Sequence, residues 1–152
     1  MKMSIKVEDK MTKFVVTISP RTTIREAWGT LSRIGFRHLP VVKNGQLVGI
    51  ISDRDLLVYN PKDNKLSEAP IETCMTPSPI TCSSNISVKE AARLMIANQI
   101  DCLPVISGIK LVGLLTTTDI VELVAEGHGP EEAGLPWTFT VEHITNEDSF
   151  TQ

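Results

Sequence analysis

The sequence predicts an α/β (α+β) protein made of two β-α-β-β-α repeats related by a pseudo-twofold axis, and three observations carry that expectation. The first is self-similarity. Slid over itself by 64 residues, the chain brings Met11-Thr12 onto Met75-Thr76, Thr17 onto Thr81, Leu39-Pro40-Val41 onto Leu103-Pro104-Val105 and Asp55 onto Asp119 without a gap. The second is a pair of helix-start signals, Thr23-x-x-Glu26 and Ser87-x-x-Glu90, at the same shift. In each, hydroxyl and carboxylate satisfy the first free amides of a helix. The third is a pair of β-rich runs folded by a tight turn, "LPVVKNGQLVGIIS" and "LPVISGIKLVGLLT".

Taken in order, each repeat opens on a short strand, "FVVTI" or "PITC". The capped helix that follows places Ile24, Ala27, Trp28, Leu31 and Ile34 on one face in the first copy. Val88, Ala91, Ala92 and Met95 do the same in the second, so each helix buries a stripe. Asn44-Gly45 suits a type I′ hairpin, in which both central residues have positive φ. In the second copy the glycine moves to Gly108, ahead of Ile109, which suits type II′. "RDLLVY" and "TDIVELVAE" then continue as closing helices. The boundaries read as a first repeat over 5–59, a polar linker over 60–69, a second repeat over 70–125 and a C-terminal tail over 126–152. In the tail, Trp137, Phe139 and Val141 alternate with polar residues, the period of a docking strand. One repeat alone is too small to bury much. Two packed together share edges and faces and leave two equivalent clefts between them.

Composition narrows the function. The net charge is −3 and no block of five or more lysines or arginines occurs, so the basic footprint of a nucleic-acid binder is missing. No apolar run reaches the eighteen or so residues that cross a bilayer. The charged N-terminus has no secretory core. Cys74, Cys82 and Cys102 form no metal-ligand spacing, and the expected compartment is a reducing cytoplasm with free thiols. No nucleophile elbow, phosphate-binding loop with its lysine or zinc-helix motif is present, so no enzyme activity is expected.

The Met-Thr pairs, the "LPVV" and "LPVI" segments and the twice-repeated glycine, two apolar residues, then Ser/Thr-x-x-Asp together resemble a tandem pair of CBS domains, the module named after cystathionine β-synthase. The resemblance covers roughly residues 5–125. It implies the CBS-pair fold, a regulatory role and binding of adenosine nucleotides such as AMP, ADP or ATP between the repeats. It also implies a homodimer and a regulated partner protein that the sequence does not identify, with no cofactor required. The chemistry of the junctions suits that role. Asp55 and Asp119 can accept two hydrogen bonds from a ribose. Ser52 and Thr116 stand at helix starts, where free amides favour phosphate. Gly49 and Gly113 leave room for a ligand near the backbone.

In the family, the aspartate of one repeat typically works with residues before the "LP" segment of the other. The first cleft would then hold Thr116, Thr118 and Asp119 with Arg37 and His38, the adenine lying on Val15, Val16 and Phe36. The second would hold Ser52, Arg54 and Asp55 with Asp101 and Cys102, the base lying on Pro79, Ile80 and Ile100. Arg37 and His38 make the first cleft cationic, whereas Asp101 repels phosphate in the second. The second cleft is therefore expected to be weaker or to take a less charged adenosine compound. Two other readings stay open: Ser52-x-x-Asp55 and Thr116-x-x-Asp119 as simple capping boxes, and a ligand-free dimerisation scaffold or a sensor of another adenosyl compound such as S-adenosylmethionine.

Overall fold

Hairpin sequences organise the structure. The computed structural model describes residues 4–58 and 64–127 and contains two three-stranded sheets, one around each hairpin. The first hairpin joins β1 (His38–Lys43) to β2 (Gln46–Ser52), and the second joins β5 (Cys102–Ser107) to β6 (Lys110–Thr116). Asn44 and Gly45 both have positive φ, 51° and 76°, whereas only Gly108 does in the second turn, at 64°. The two turn types read from sequence therefore have the φ signs they require. The ladder shifts register between Val41 and Val42 and again between Val105 and Ile106, so the repeat extends to a matching bulge.

The long helices are α2 (Ile24–Ile34) and α5 (Val88–Asn98), each started by its expected capping box. They bury Ile24, Ala27 and Leu31, and Val88, Ala91, Ala92 and Met95. The closing helices are α3 (Asp53–Leu56) and α6 (Thr117–Ala125). Within the segment read as a polar linker a short helix, α4 (Asn64–Ser67), forms. The tail strand proposed at Trp137 to Val141 lies outside the described residues.

The opening strands differ from expectation. "PITC" contracts to β4 (Cys82–Ser83), parallel to β5, and "FVVTI" reduces to a single bridge from Ile18 to Val41. Phe14 is 74% exposed, so this stretch buries too little to extend the ladder. A strand not anticipated, β3 (Thr76–Pro77), pairs antiparallel with β2.

That strand reveals how the halves are joined. Residues Ala69 to Met75 pack on the first repeat, with Ile71 fully buried beside Ile24, Leu39 and Ile51. Backbone bonds from Ile24 N to Ala69 O (3.0 Å) and Ile71 N to Thr22 O (2.7 Å) fix them there. The N-terminal segment makes the reciprocal move. Val7, on α1 (Val7–Lys10), is fully buried in the second core with Met95, Leu103 and Leu115, and Val7 N donates to Ile86 O at 2.9 Å. Thr12 bridges Leu114 just as Thr76 bridges Ile50. Each sequence repeat thus lends its first residues to the other, and burying Val7 alone stabilises this exchange by about 1.5–3 kcal/mol.

Gly49 and Gly113 serve that exchange rather than a ligand. A Cβ at Gly49 would collide with Met75 Sδ, and one at Gly113 would lie 2.6 Å from Met11 Sδ and 2.9 Å from Thr12 O. The methionine of each Met-Thr pair fills the space the other repeat's glycine leaves, so the room expected for a ligand is taken by protein.

Candidate functional site

Two hollows lie where the hairpin of one repeat meets its counterpart. The first, about 290 Å³, is walled by Phe36, Arg37 and His38 from the first repeat and by Thr116, Thr118 and Asp119 from the second. Thr12, Leu114 and Glu122 complete much of its rim. The second, about 240 Å³, is walled by Ser52, Asp55 and Ile50 from the first repeat and by Pro79, Ile80, Ile100, Asp101 and Cys102 from the second. The structure therefore gathers six of the eight residues assigned to the first cleft and seven of the eight assigned to the second.

The exceptions have local causes. Val16 packs against the first core, and Val15 lines a separate hollow with Lys13, Thr17 and Lys110. Because the stretch before Ile18 does not run as a strand, its side chains are not delivered to the first cleft. Arg54 is exposed and absent from the wall of the second cleft. Sequence reasoning missed Thr12 and Thr76, which line the first and second hollows respectively. The recurrence of Met-Thr at the shift of 64 was the available signal. Its meaning depended on the exchange of segments.

Both aspartates are engaged by their own helix starts. Asp119 is 8% exposed; its Oδ2 accepts the Thr116 amide at 2.8 Å and the Thr116 hydroxyl at 3.2 Å. Its Oδ1 accepts the Thr12 hydroxyl at 3.4 Å, a long and weak contact. Asp55 Oδ2 accepts the Ser52 amide at 2.9 Å, and the Ser52 hydroxyl accepts the Asp55 amide at 3.1 Å. The capping reading is thus realised in full. It leaves Asp55 Oδ1 without a partner among the described residues and Asp119 Oδ1 with only the long contact to Thr12.

Most amides at these helix starts are also spent. Asp53 N donates to Arg37 O at 2.9 Å and Arg54 N to the Asp53 carboxylate at 2.7 Å. On α6, Thr117 N donates to Asp101 O at 3.0 Å and Asp119 N to the Thr116 hydroxyl at 3.4 Å. Among the described residues, the Thr118 amide is the one in that first turn without a partner. An anion has one donor there instead of several.

The charge pattern is less one-sided than the assigned clefts suggest. His38 and Asp101, expected in different clefts, form one pair, Nε2 to Oδ1 at 3.1 Å, and line both hollows. They make the partition between the sites. Arg37 Nε donates to Asp53 at 3.3 Å, leaving its terminal nitrogens for another anion. Glu122 on the first rim is 3.6 Å from Lys10 Nζ. Burial, with smaller effects from Asp101 and Asp119, pushes the Cys102 thiol up to about 12. It remains protonated at neutral pH and acts as an apolar wall, not a nucleophile. Among the described residues no cluster of three His, Cys, Asp or Glu could hold a metal ion, and no helix is long and apolar enough to cross a membrane.

Comparison with known proteins places these features in context. The CBS domain profile matches residues 7–62 and 71–126. The CBS domain-containing protein YhcV of Bacillus subtilis is 32% identical over 114 residues, covering 75% of this chain and 81% of that protein. Several other curated relatives are longer, and the chain spans 21% to 48% of their length. Among solved structures, the CBS domain pair of protein MJ0100 in complex with 5′-methylthioadenosine and S-adenosyl-L-methionine superposes with a TM-score of 0.73 at 30% identity. The match covers 82% of this chain and 99% of that one. CBSX2 in complex with AMP gives the same TM-score and coverage at 29% identity.

Proposed function

The chain belongs to the CBS-domain family, carrying two such domains, and from that premise we propose that it is a regulatory module that binds adenosine nucleotides between its repeats and signals to a partner protein. The observation that carries the reading is the first cleft. Arg37, Thr118, whose amide has no partner among the described residues, and Asp119 line one hollow of about 290 Å³ together with Phe36. A carboxylate oxygen suits a ribose hydroxyl, a guanidinium and an amide suit a phosphate, and an aromatic wall suits a purine. AMP, ADP or ATP meets all three requirements. The AMP complex of the similar CBSX2 supports the same assignment.

Calorimetric titration of AMP, ADP and ATP into wild type and Asp119→Ala tests it. The variant should bind at least about tenfold more weakly, since a charge-assisted hydrogen bond is worth about 1.5–3 kcal/mol. Unchanged affinity would remove Asp119 from the site. If none of these compounds, nor S-adenosylmethionine, raises the melting temperature at millimolar concentration, the module is a ligand-free scaffold instead. A homodimer belongs to the same reading. Leu57 and Val121, at matching positions of the two repeats, are 70% and 65% exposed, and a second copy would cover both. Sedimentation of wild type and a Leu57→Lys/Val121→Lys variant measures this; a wild-type monomer would discard it.

A further inference from the structure

One position carries opposite charges in the two repeats. Arg37 and Asp101 stand 64 residues apart, each at the entrance to a hairpin, and their carbonyls accept the first amide of α3 and of α6 at 2.9 and 3.0 Å. The two side chains therefore leave equivalent backbone. Arg37 lines the first cleft alone, whereas Asp101 lines both. The wall of the second cleft contains Asp55 and Asp101 but no lysine or arginine, and its one imidazole, His38, is already paired with Asp101 at 3.1 Å. Ile50, Pro79, Ile80 and Ile100 make the rest of that hollow apolar.

We propose that the second cleft takes an adenosyl compound without phosphate, neutral or carrying a cationic tail: Asp101 lines both clefts, but only the first sets Arg37 against it, and in the second the unopposed Asp101 keeps phosphorylated nucleotides out. The assignment rests on the reading of the clefts as adenosyl sites and adds which ligand charge each accepts. A phosphate in the second hollow would meet two carboxylates and no fixed cation while leaving water. Like charges brought together under those conditions disfavour binding strongly. An adenosyl group with an uncharged or positive substituent keeps the apolar contacts and escapes the repulsion.

Titration of AMP and of 5′-methylthioadenosine into wild type, Asp101→Asn and Asp101→Ser decides the matter. Wild type should bind one AMP per chain, and the AMP-saturated protein should still bind one 5′-methylthioadenosine. In both variants AMP should gain a second site, tightened by about tenfold or more. Melting curves of the two variants establish that they fold; Asp101 is half exposed and neither substitution adds bulk. AMP filling two sites of wild type, 5′-methylthioadenosine competing with AMP for a single site, or folded variants that bind AMP as wild type does would each overturn the assignment alone. Failure of both compounds to bind wild type at all would overturn it together with the adenosyl reading.

Discussion

Asp119 and Asp55 show how one side chain serves fold and site together. One oxygen of each holds the amide that precedes its helix, at 2.8 and 2.9 Å, and each residue also lines a cleft. Removing the cap should therefore be visible without any ligand. Thr116→Ala is expected to lower stability in urea by about 1 kcal/mol, and a change below the error of the measurement would mean the cap is redundant. Asp119→Asn, which keeps an acceptor, separates loss of the proposed ribose contact from loosening of the helix. Cys102 gives a second prediction at this scale. Its thiol is held up to about 12 from 9.0, so between those values the unfolded chain loses the proton that the folded chain keeps. Stability from this group is complete below pH 9 and declines as pH rises above it, by at most about 1.4 kcal/mol per unit. The stability gap between wild type and Cys102→Ala should narrow above pH 9; parallel curves would show that the buried thiol ionises normally.

At the scale of elements, the contact between each Met-Thr pair and the opposite hairpin joins the halves. Met75 fills the space over Gly49 and Met11 the space over Gly113. Gly113→Ala is expected to cost about 1–3 kcal/mol through overpacking, because the Thr12 carbonyl as well as a side chain stands in the way. At Gly49 the worst collision is with a flexible side chain, so Met75→Ala should relieve part of the cost of Gly49→Ala. A double-mutant cycle by denaturant unfolding checks this, and strict additivity would mean that the two sites do not touch. The helices and hairpins were legible in sequence because their signals are local: hydroxyl and carboxylate three apart, apolar residues at helical spacing, turn residues with special φ. The opening strands were not. "FVVTI" has strand-forming residues, but only Ile18 finds a ladder edge, and β3 exists because the opposite hairpin offers its own edge to Thr76. Propensity says what a segment can do, and the available edge decides whether it does so.

For the whole molecule, the sequence repeat and the packed unit are offset. The first core needs Ile71 and Met75, and the second needs Val7 and Met11. A fragment over 13–79 contains every buried residue of the first core, whereas one over 1–62 lacks Ile71. The former should show greater helical circular dichroism and a cooperative melt, and equal behaviour of the two fragments would sink the idea of exchanged segments. Under the proposed function, the same offset ties any bound ligand to both halves. The clefts are built from residues of both repeats, and His38 and Asp101 form a wall common to the two.

The sequence by itself determined the duplication, the capping boxes that start α2 and α5 and the two turn types, because all of these follow from local chemistry written twice; the residues expected in each cleft came from the resemblance to paired CBS domains. Tertiary structure decided the exchange of the opening segments, the loss of Val15, Val16 and Arg54 from the clefts, and the meeting of His38 with Asp101. Those outcomes depend on which edges, hollows and charges the two halves present to each other, and spacing along one chain carries no record of that.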